Sequence, residues 1–273
     1  MKILIAADME GITGVTTWNQ VDPKHPEYIR FRKLMTGDVN AAIRGAFDAG
    51  ATEIIVADGH SLGSNILIEE LDRRAQLNSG SPSPFSMMQG IDESVNAVLF
   101  IGYHARNGSQ NAILDHTWSS RTVANVWLND LLTGEYGLNA ALAGYFGVPV
   151  IMASGDQTAC RQMSELLGEI ETAVVKQASG RFAAECLPPP ITQDLIYASA
   201  HRAVERLAED DLPEPFVMDT PIRVTVEFPS SDMADRAATM PFTEREGTCV
   251  SFTAPEMTAA YRAFRSMVSL AMG

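Results

Sequence analysis

The most constraining feature of the chain is its first strand and how that strand stops. Ile3 to Ala7 is an unbroken apolar run, and it ends at two acids, Asp8 and Glu10. A short apolar run of this kind is predicted to be a buried strand. Residues two apart on extended backbone point the same way, so the two carboxylates are aimed at one place. Gly11 and Gly14 then let the backbone leave by a route that bulkier residues would resist. Open α/β sheets hold their ligands at the carboxyl ends of such strands. Taken alone, the stretch reads equally as a strand followed by a solvated acidic turn.

The next elements favour the first reading. Residues 27–49 keep helical spacing through Ile29, Leu34, Val39, Ile43 and Phe47, and Gly50 supplies the stop. Ile54 to Ala57 is a second buried strand, followed by Asp58-Gly59-His60-Ser61. Strand, helix and strand in that order form a right-handed crossover with parallel neighbours, which puts His60 at the sheet edge of Asp8. Ala97 to Ile101 is a third strand and breaks at Gly102-Tyr103-His104.

Further on, the pattern predicts a strand over 122–128, a helix over 134–146 with Glu135 in its first turn, and a strand over 148–153. A helix over 158–167 and a strand over 173–176 follow. Pro188-Pro189-Pro190 punctuates the chain. Beyond it come a helix capped by Thr192, strands near 222–228 and 248–252, and a final helix opened by Thr253-Ala254-Pro255-Glu256. The expected fold class is α/β: a three-layer core with a mostly parallel sheet over 1–188, plus a smaller α+β C-terminal subdomain over 189–273. That subdomain is expected to be packed on or intertwined with the core.

Composition narrows the function. A formal charge of -14 without a basic cluster argues against nucleic acid and against anionic membrane surfaces. No apolar run approaches a membrane span, and the acids at Asp8 and Glu10 interrupt anything resembling a signal peptide. Cys160, Cys186 and Cys249 are isolated, as expected of reduced thiols in an intracellular protein. A cytoplasmic location is expected. There is no G-x-x-x-x-G-K-[ST] loop and no H-E-x-x-H helix.

Three strand ends therefore carry oxygen and imidazole donors: Asp8 with Glu10, His60, and His104. Glu135 is a fourth candidate. A lone histidine at such a place is usually a satisfied core residue, but two converging on a carboxylate pair favour metal. A donor set without thiolate suits catalytic zinc, and also manganese, cobalt or iron. Five ligands exceed what one open ion needs and suit two ions sharing a carboxylate, with Asp8 as the candidate bridge. Asp58 either orients a ligand imidazole or shapes a turn. His116, in Leu114-Asp115-His116-Thr117, is free to act as acid, base or oxyanion stabiliser. His25 and His201 read as surface residues.

At this point the motifs resemble a known family. Asp8-Met9-Glu10-Gly11-Ile12, Asp58-Gly59-His60-Ser61, Gly102-Tyr103-His104-Ala105-Arg106, Gly134-Glu135-Tyr136-Gly137-Leu138-Asn139-Ala140 and Val174-Val175-Lys176-Gln177 resemble the zinc-dependent D-aminopeptidases of the DppA type. The likeness runs nearly the whole length and is thinnest between Pro188 and Pro221. It implies a two-zinc site with Asp8 bridging, Glu10 and His60 on one ion, His104 and Glu135 on the other, and His116 in catalysis. It also implies a ring-shaped homodecamer. Asp115 and Trp118 depart from the family pattern beside His116, which bears on substrate preference.

The expected activity is hydrolysis of short peptides or amino-acid amides with an N-terminal D-residue, through a hydroxide activated by two zinc ions. The rival readings are another dinuclear-metal amidase or phosphoesterase, and a non-enzymatic metal- or peptide-binding protein of a transport system.

Overall fold

In the computed structural model, which describes residues 1–273, the chain runs β1 (Lys2–Ala7), α1 (Tyr28–Asp48), β2 (Glu53–Asp58), β3 (Gln76–Asn78), β4 (Ala97–Ile101), β5 (Asn125–Leu128), β6 (Leu131–Thr133) and α2 (Glu135–Tyr145). It continues through β7 (Val150–Asp156), α3 (Gln157–Leu167), β8 (Glu171–Ala178), β9 (Ala184–Cys186) and α4 (Pro189–Ala208). It closes with β10 (Ile222–Glu227), α5 (Ser231–Ala237), β11 (Thr243–Glu246), β12 (Cys249–Ala254) and α6 (Met257–Met272).

The alternation of β1 sets the layers. Ile3, Ile5 and Ala7 join one apolar cluster with Phe31, Met35, Val39 and Ile43 of α1 and with Ile196, Ala200 and Val204 of α4. Leu4 and Ala6 face the other way, into a cluster with Leu138 and Leu142 of α2, Met163 of α3 and Phe264 of α6. Each large apolar side chain buried in this way contributes roughly 1.5–3 kcal/mol, so both faces of the strand must be covered. The expected α/β class, with a mostly parallel sheet between helices, is what the chain adopts.

The first sheet has the order β3-β2-β1-β4-β7-β8-β9. Every pair is parallel except the edge pair β8–β9. From β1 the chain moves outward to β2 and β3, then returns to β4 on the opposite side of β1. The crevice of this sheet therefore opens at the carboxyl ends of β1 and β4, the point where strand order reverses.

The two ends are drawn together by main-chain bonds from Asp8 N to Ile101 O and from Gly11 N to Gly102 O, both 2.8 Å. Only glycine fits there. A Cβ on Gly11 would sit 1.9 Å from the carbonyl oxygen of Tyr103. Gly102, at φ +74°, would bring a Cβ within 2.3 Å of Asp8 O.

The second sheet is antiparallel, in the order β11-β12-β10-β5-β6. Packing crosses the triple proline in both directions. Residues 125–133 belong to the second sheet, whereas α4, which follows the prolines, packs its Ile196, Ala200 and Val204 into the α1 layer of the first. Pro189 and Pro190 begin α4. A fixed φ and a missing N–H cost nothing in the first turn of a helix. Thr192 is accordingly inside the helix and not its cap. At the C-terminal helix, Thr253 and Ala254 still pair with Arg223 and Ile222 in the sheet, so α6 starts only at Met257. The short strands β3, β6, β9 and β11 are too brief to show a period in sequence.

Candidate metal centre

Six side chains converge in the crevice. Asp8 and Glu10 follow β1, His60 follows β2, His104 follows β4, Glu135 opens α2, and His116 stands on the loop between β4 and β5. Asp8, Glu10, His104, His116 and Glu135 are all buried, and the His60 side chain is 11% exposed. Asp8 divides its oxygens: Oδ1 lies 3.4 Å from His60 Nδ1, and Oδ2 lies 3.4 Å from His104 Nε2. Glu10 Oε2 is 3.1 Å from His60 Nδ1, and Glu135 Oε1 is 3.0 Å from His104 Nε2. His116 Nε2 reaches Glu135 Oε1 at 3.6 Å and Glu10 Oε1 at 3.9 Å.

The three imidazoles are oriented in the same manner. His60 Nε2 is 2.8 Å from Val21 O, His104 Nδ1 is 3.0 Å from Ala105 O, and His116 Nδ1 is 2.8 Å from Leu114 O. A carbonyl can only accept, so the nitrogen facing it carries the hydrogen. In the neutral ring the other nitrogen then turns a lone pair into the site, as a metal ligand or base requires.

Asp58, one of whose expected roles was to orient an imidazole, does not touch the His60 ring. Its carboxylate accepts from Asn65 N, Asn65 Nδ2 and Ile66 N at 2.6, 2.6 and 2.8 Å. It shapes the turn after β2, and Asn65 Nδ2 in turn donates to His60 O.

Charge in this buried space is balanced by protons when no metal is present. Burial, followed by the neighbouring Glu10 charge, pushes the Asp8 carboxyl up to about 7. Burial opposes charge on His104, but Glu135 and Asp8 override it and raise the imidazole to about 10. His60 is likewise held well above its ordinary value, with Glu10 and Asp8 overcoming burial. Glu10 and Glu135 lie below the usual carboxylate range despite burial, because His60 and His104 respectively stand beside them. His116 is lowered, first by burial and then by the adjacent His104.

The donors fit a divalent cation. Asp8 Oδ2 and His104 Nε2 are buried atoms without a hydrogen-bond partner. The 3.0 Å approach of His104 Nε2 to Glu135 Oε1 is close enough for a hydrogen bond but wrongly directed, so it is an ion-pair contact only. Leaving such atoms unsatisfied costs about 1–3 kcal/mol each, and a cation between them would relieve both. Donor atoms of Asp8, Glu10 and His104 lie within 4.8 Å of one another, as do those of His104, His116 and Glu135. His25 and His201 are engaged elsewhere, with Glu27 N and the Glu205 carboxylate.

Several contributors carry no sequence signal. Val21 acts through its carbonyl, and Trp118 through its main-chain N–H, which donates to Glu135 Oε1 at 2.6 Å. The His116 loop holds Leu114 at φ +50° and Trp118 at φ +62°, conformations that persist only where the surroundings impose them. Arg181 supplies much of that restraint. Its carbonyl accepts from Leu114 N, its Nη2 donates to Asp115 O at 2.8 Å, and its Nε is 3.0 Å from Asp115 Oδ1. Trp18 sets its ring against His116, centroids 5.3 Å apart at 77°.

Gly59-His60-Ser61-Leu62-Gly63 spells the G-x-S-x-G pattern of a nucleophile elbow, but turns and not a helix follow Ser61, so the elbow context is absent.

Known proteins resemble this chain over its whole length. A peptidase family model described as D-aminopeptidase matches residues 1–266. A D-aminopeptidase of Bacillus subtilis (strain 168) is 38% identical over 275 residues, spanning 100% of this chain and 98% of the relative. The solved structure of the Zn-dependent D-aminopeptidase DppA from Bacillus subtilis, described as a self-compartmentalizing protease, superposes with a TM-score of 0.96 at 38% identity. That match covers 100% of this chain and 98% of the other. The chain belongs to the D-aminopeptidase family.

Proposed function

We propose that this enzyme is a zinc-dependent aminopeptidase that removes an N-terminal D-residue from short peptides or amino-acid amides. Asp8, Glu10, His60, His104 and Glu135 would hold two zinc ions, with Asp8 shared between them. The observation that carries this reading is the division of the Asp8 carboxylate, one oxygen 3.4 Å from each of two imidazoles that follow different strands. Bound at such a site, zinc supplies Lewis acidity toward the scissile carbonyl and lowers the pKa of water toward neutrality.

The chain's own groups do the rest. Glu10 and Glu135 provide negative charge that keeps the cations in a buried place. His116 keeps its Nδ1 hydrogen on Leu114 O, which leaves Nε2 facing Glu10 and Glu135 to take up a proton from the attacking water and return it to the leaving amine. Trp18 and the Arg181-held loop exclude solvent from that nitrogen.

The assembly we propose is a ring-shaped decamer in the cytoplasm. Its support is the self-compartmentalizing relative and the exposure of Ile29, Leu62, Ile68 and Phe242, apolar side chains suited to contact with further copies. No helix is long and apolar enough to cross a membrane.

The test is a substrate panel of D- and L-aminoacyl amides, dipeptides and phosphate esters, run on zinc-loaded protein and again after chelation. Turnover of D-dipeptides that disappears on stripping and returns with zinc is expected. Undiminished turnover after stripping, or turnover of phosphate esters alone, overturns the proposal.

A further inference from the structure

Lys176 is 1% exposed and sits on β8. Its ammonium has three partners, and all are main-chain carbonyls: Glu10 O at 2.7 Å, Ile12 O at 2.9 Å and Val15 O at 2.8 Å. A neutral amine has only two hydrogens, so three acceptors select the charged form. Burying an ammonium without a carboxylate against it is costly, and an apolar side chain of the same length would avoid the cost. What the charge gains in return is the shape of one segment.

That segment is tied from both sides. While Lys176 takes its carbonyls, the buried Asp38 carboxylate of α1 takes the N–H and hydroxyl of Thr13 at 2.9 and 3.0 Å. The Thr13 hydroxyl also reaches Thr192 at 2.7 Å. A bulge aims the lysine: the β7–β8 register shifts between Gly155 and Asp156, so that Asp156 pairs with Lys176. Bulges recur beside active sites because they redirect a side chain. The fixed segment leads on to the contacts that build the site, namely Glu10 on His60, Trp18 on His116 and Val21 O on His60.

We propose that Lys176 is a positioning residue, a built-in cation whose three carbonyl bonds lock the loop after β1 so that Glu10 and Val21 O together present His60 to a metal ion. This rests on the reading of Glu10 and His60 as ligands of one ion. Residues that orient metal ligands in this way typically contribute about 10–100-fold to affinity.

Cobalt(II) is the probe, titrated into metal-free full-length protein and followed by its visible absorption, with activity measured separately. Lys176→Met keeps the volume and removes all donors, whereas Lys176→Gln keeps two N–H groups. Val204→Ala serves as a core truncation, twelve positions along α4 from Thr192 and so roughly 18 Å away by helical rise.

The parent and Val204→Ala are expected to take two cobalt ions with the same spectrum. Lys176→Met should weaken one ion by about tenfold or more with an altered spectrum, and Lys176→Gln should fall between. If Lys176→Met does not fold, the Lys176→Gln titration decides. Parental affinity and spectrum in the folded lysine variants overturn the proposal, as does a matching loss in Val204→Ala. A parent that binds no cobalt or zinc instead overturns the metal reading itself.

Discussion

The imidazole of His116 stacks on that of His104, with ring centroids 4.0 Å apart and planes inclined by 14°. A positive His104 therefore bears directly on the proton affinity of its neighbour. Burial and that charge both lower His116 below its ordinary 6.5. If His116 must be neutral to accept a proton, the acid limb of kcat/KM is expected below pH 6.5. A pH–rate profile whose acid limb sits at or above that value removes His116 as the base.

Replacing His116 by Ala should separate chemistry from metal binding. General acid–base groups contribute about 10²–10⁴-fold, so a loss of that size is expected with zinc content unchanged by atomic absorption. A variant that loses an ion along with its activity would make His116 a ligand, which its place near His104 and Glu135 also permits.

Asp8 and Glu10 are expected to differ in stoichiometry. Asp8→Ala removes the oxygens facing both imidazoles and should cost both ions together, while Glu10→Ala should weaken mainly one. Equilibrium dialysis reads this directly. Two ions retained by Asp8→Ala would end the bridging assignment.

Metal-free protein should lose stability as pH rises. His104 binds its proton more tightly folded, about 10 against 6.5, so its contribution is present below 6.5 and is lost as pH climbs through about 10. Asp8, about 7 against 3.8, acts with the same sign over 3.8 to about 7. One pKa unit is about 1.4 kcal/mol, and 1 kcal/mol moves Tm by about 2–4 °C in a chain of this size. Metal-free Tm at pH 9 is thus expected several degrees below that at pH 6, with zinc stabilising more at pH 9 because metal replaces the protons. A Tm that rises over this range contradicts the proton-balanced cluster.

Arg181→Gln should slow the enzyme without emptying it. It removes the Nη2 bond to Asp115 O and the contact with the Asp115 carboxylate, freeing the His116 loop. A misplacement of about 1 Å can cost on the order of 10²-fold, so a drop of about 10–100-fold in kcat with unchanged zinc content is expected. Parental kcat would show that the strained loop holds itself.

Much of this site is legible in the amino-acid sequence. Strand ends broken by Asp8, His60 and His104 are recognisable because buried strands write themselves as apolar runs, and a parallel crossover must bring their carboxyl ends to one edge. Asp58 shows the limit. Its type and spacing suit a partner for His60 as well as a turn, and only the positions of Asn65 and Ile66 decide for the turn. Thr192 shows another: its type suits a helix cap, but α4 already starts at Pro189, because proline is tolerated in a first turn.

Side-chain type and local period were enough to bury β1 on both faces and to gather acids and imidazoles at its carboxyl end. The three-dimensional arrangement settled the rest, because main-chain carbonyls have no residue identity. Val21 O, Ala105 O and Leu114 O choose which nitrogen of each histidine faces the site. Lys176 meets the segment after Asp8 only because β8 passes beside it, some 160 residues later in the chain.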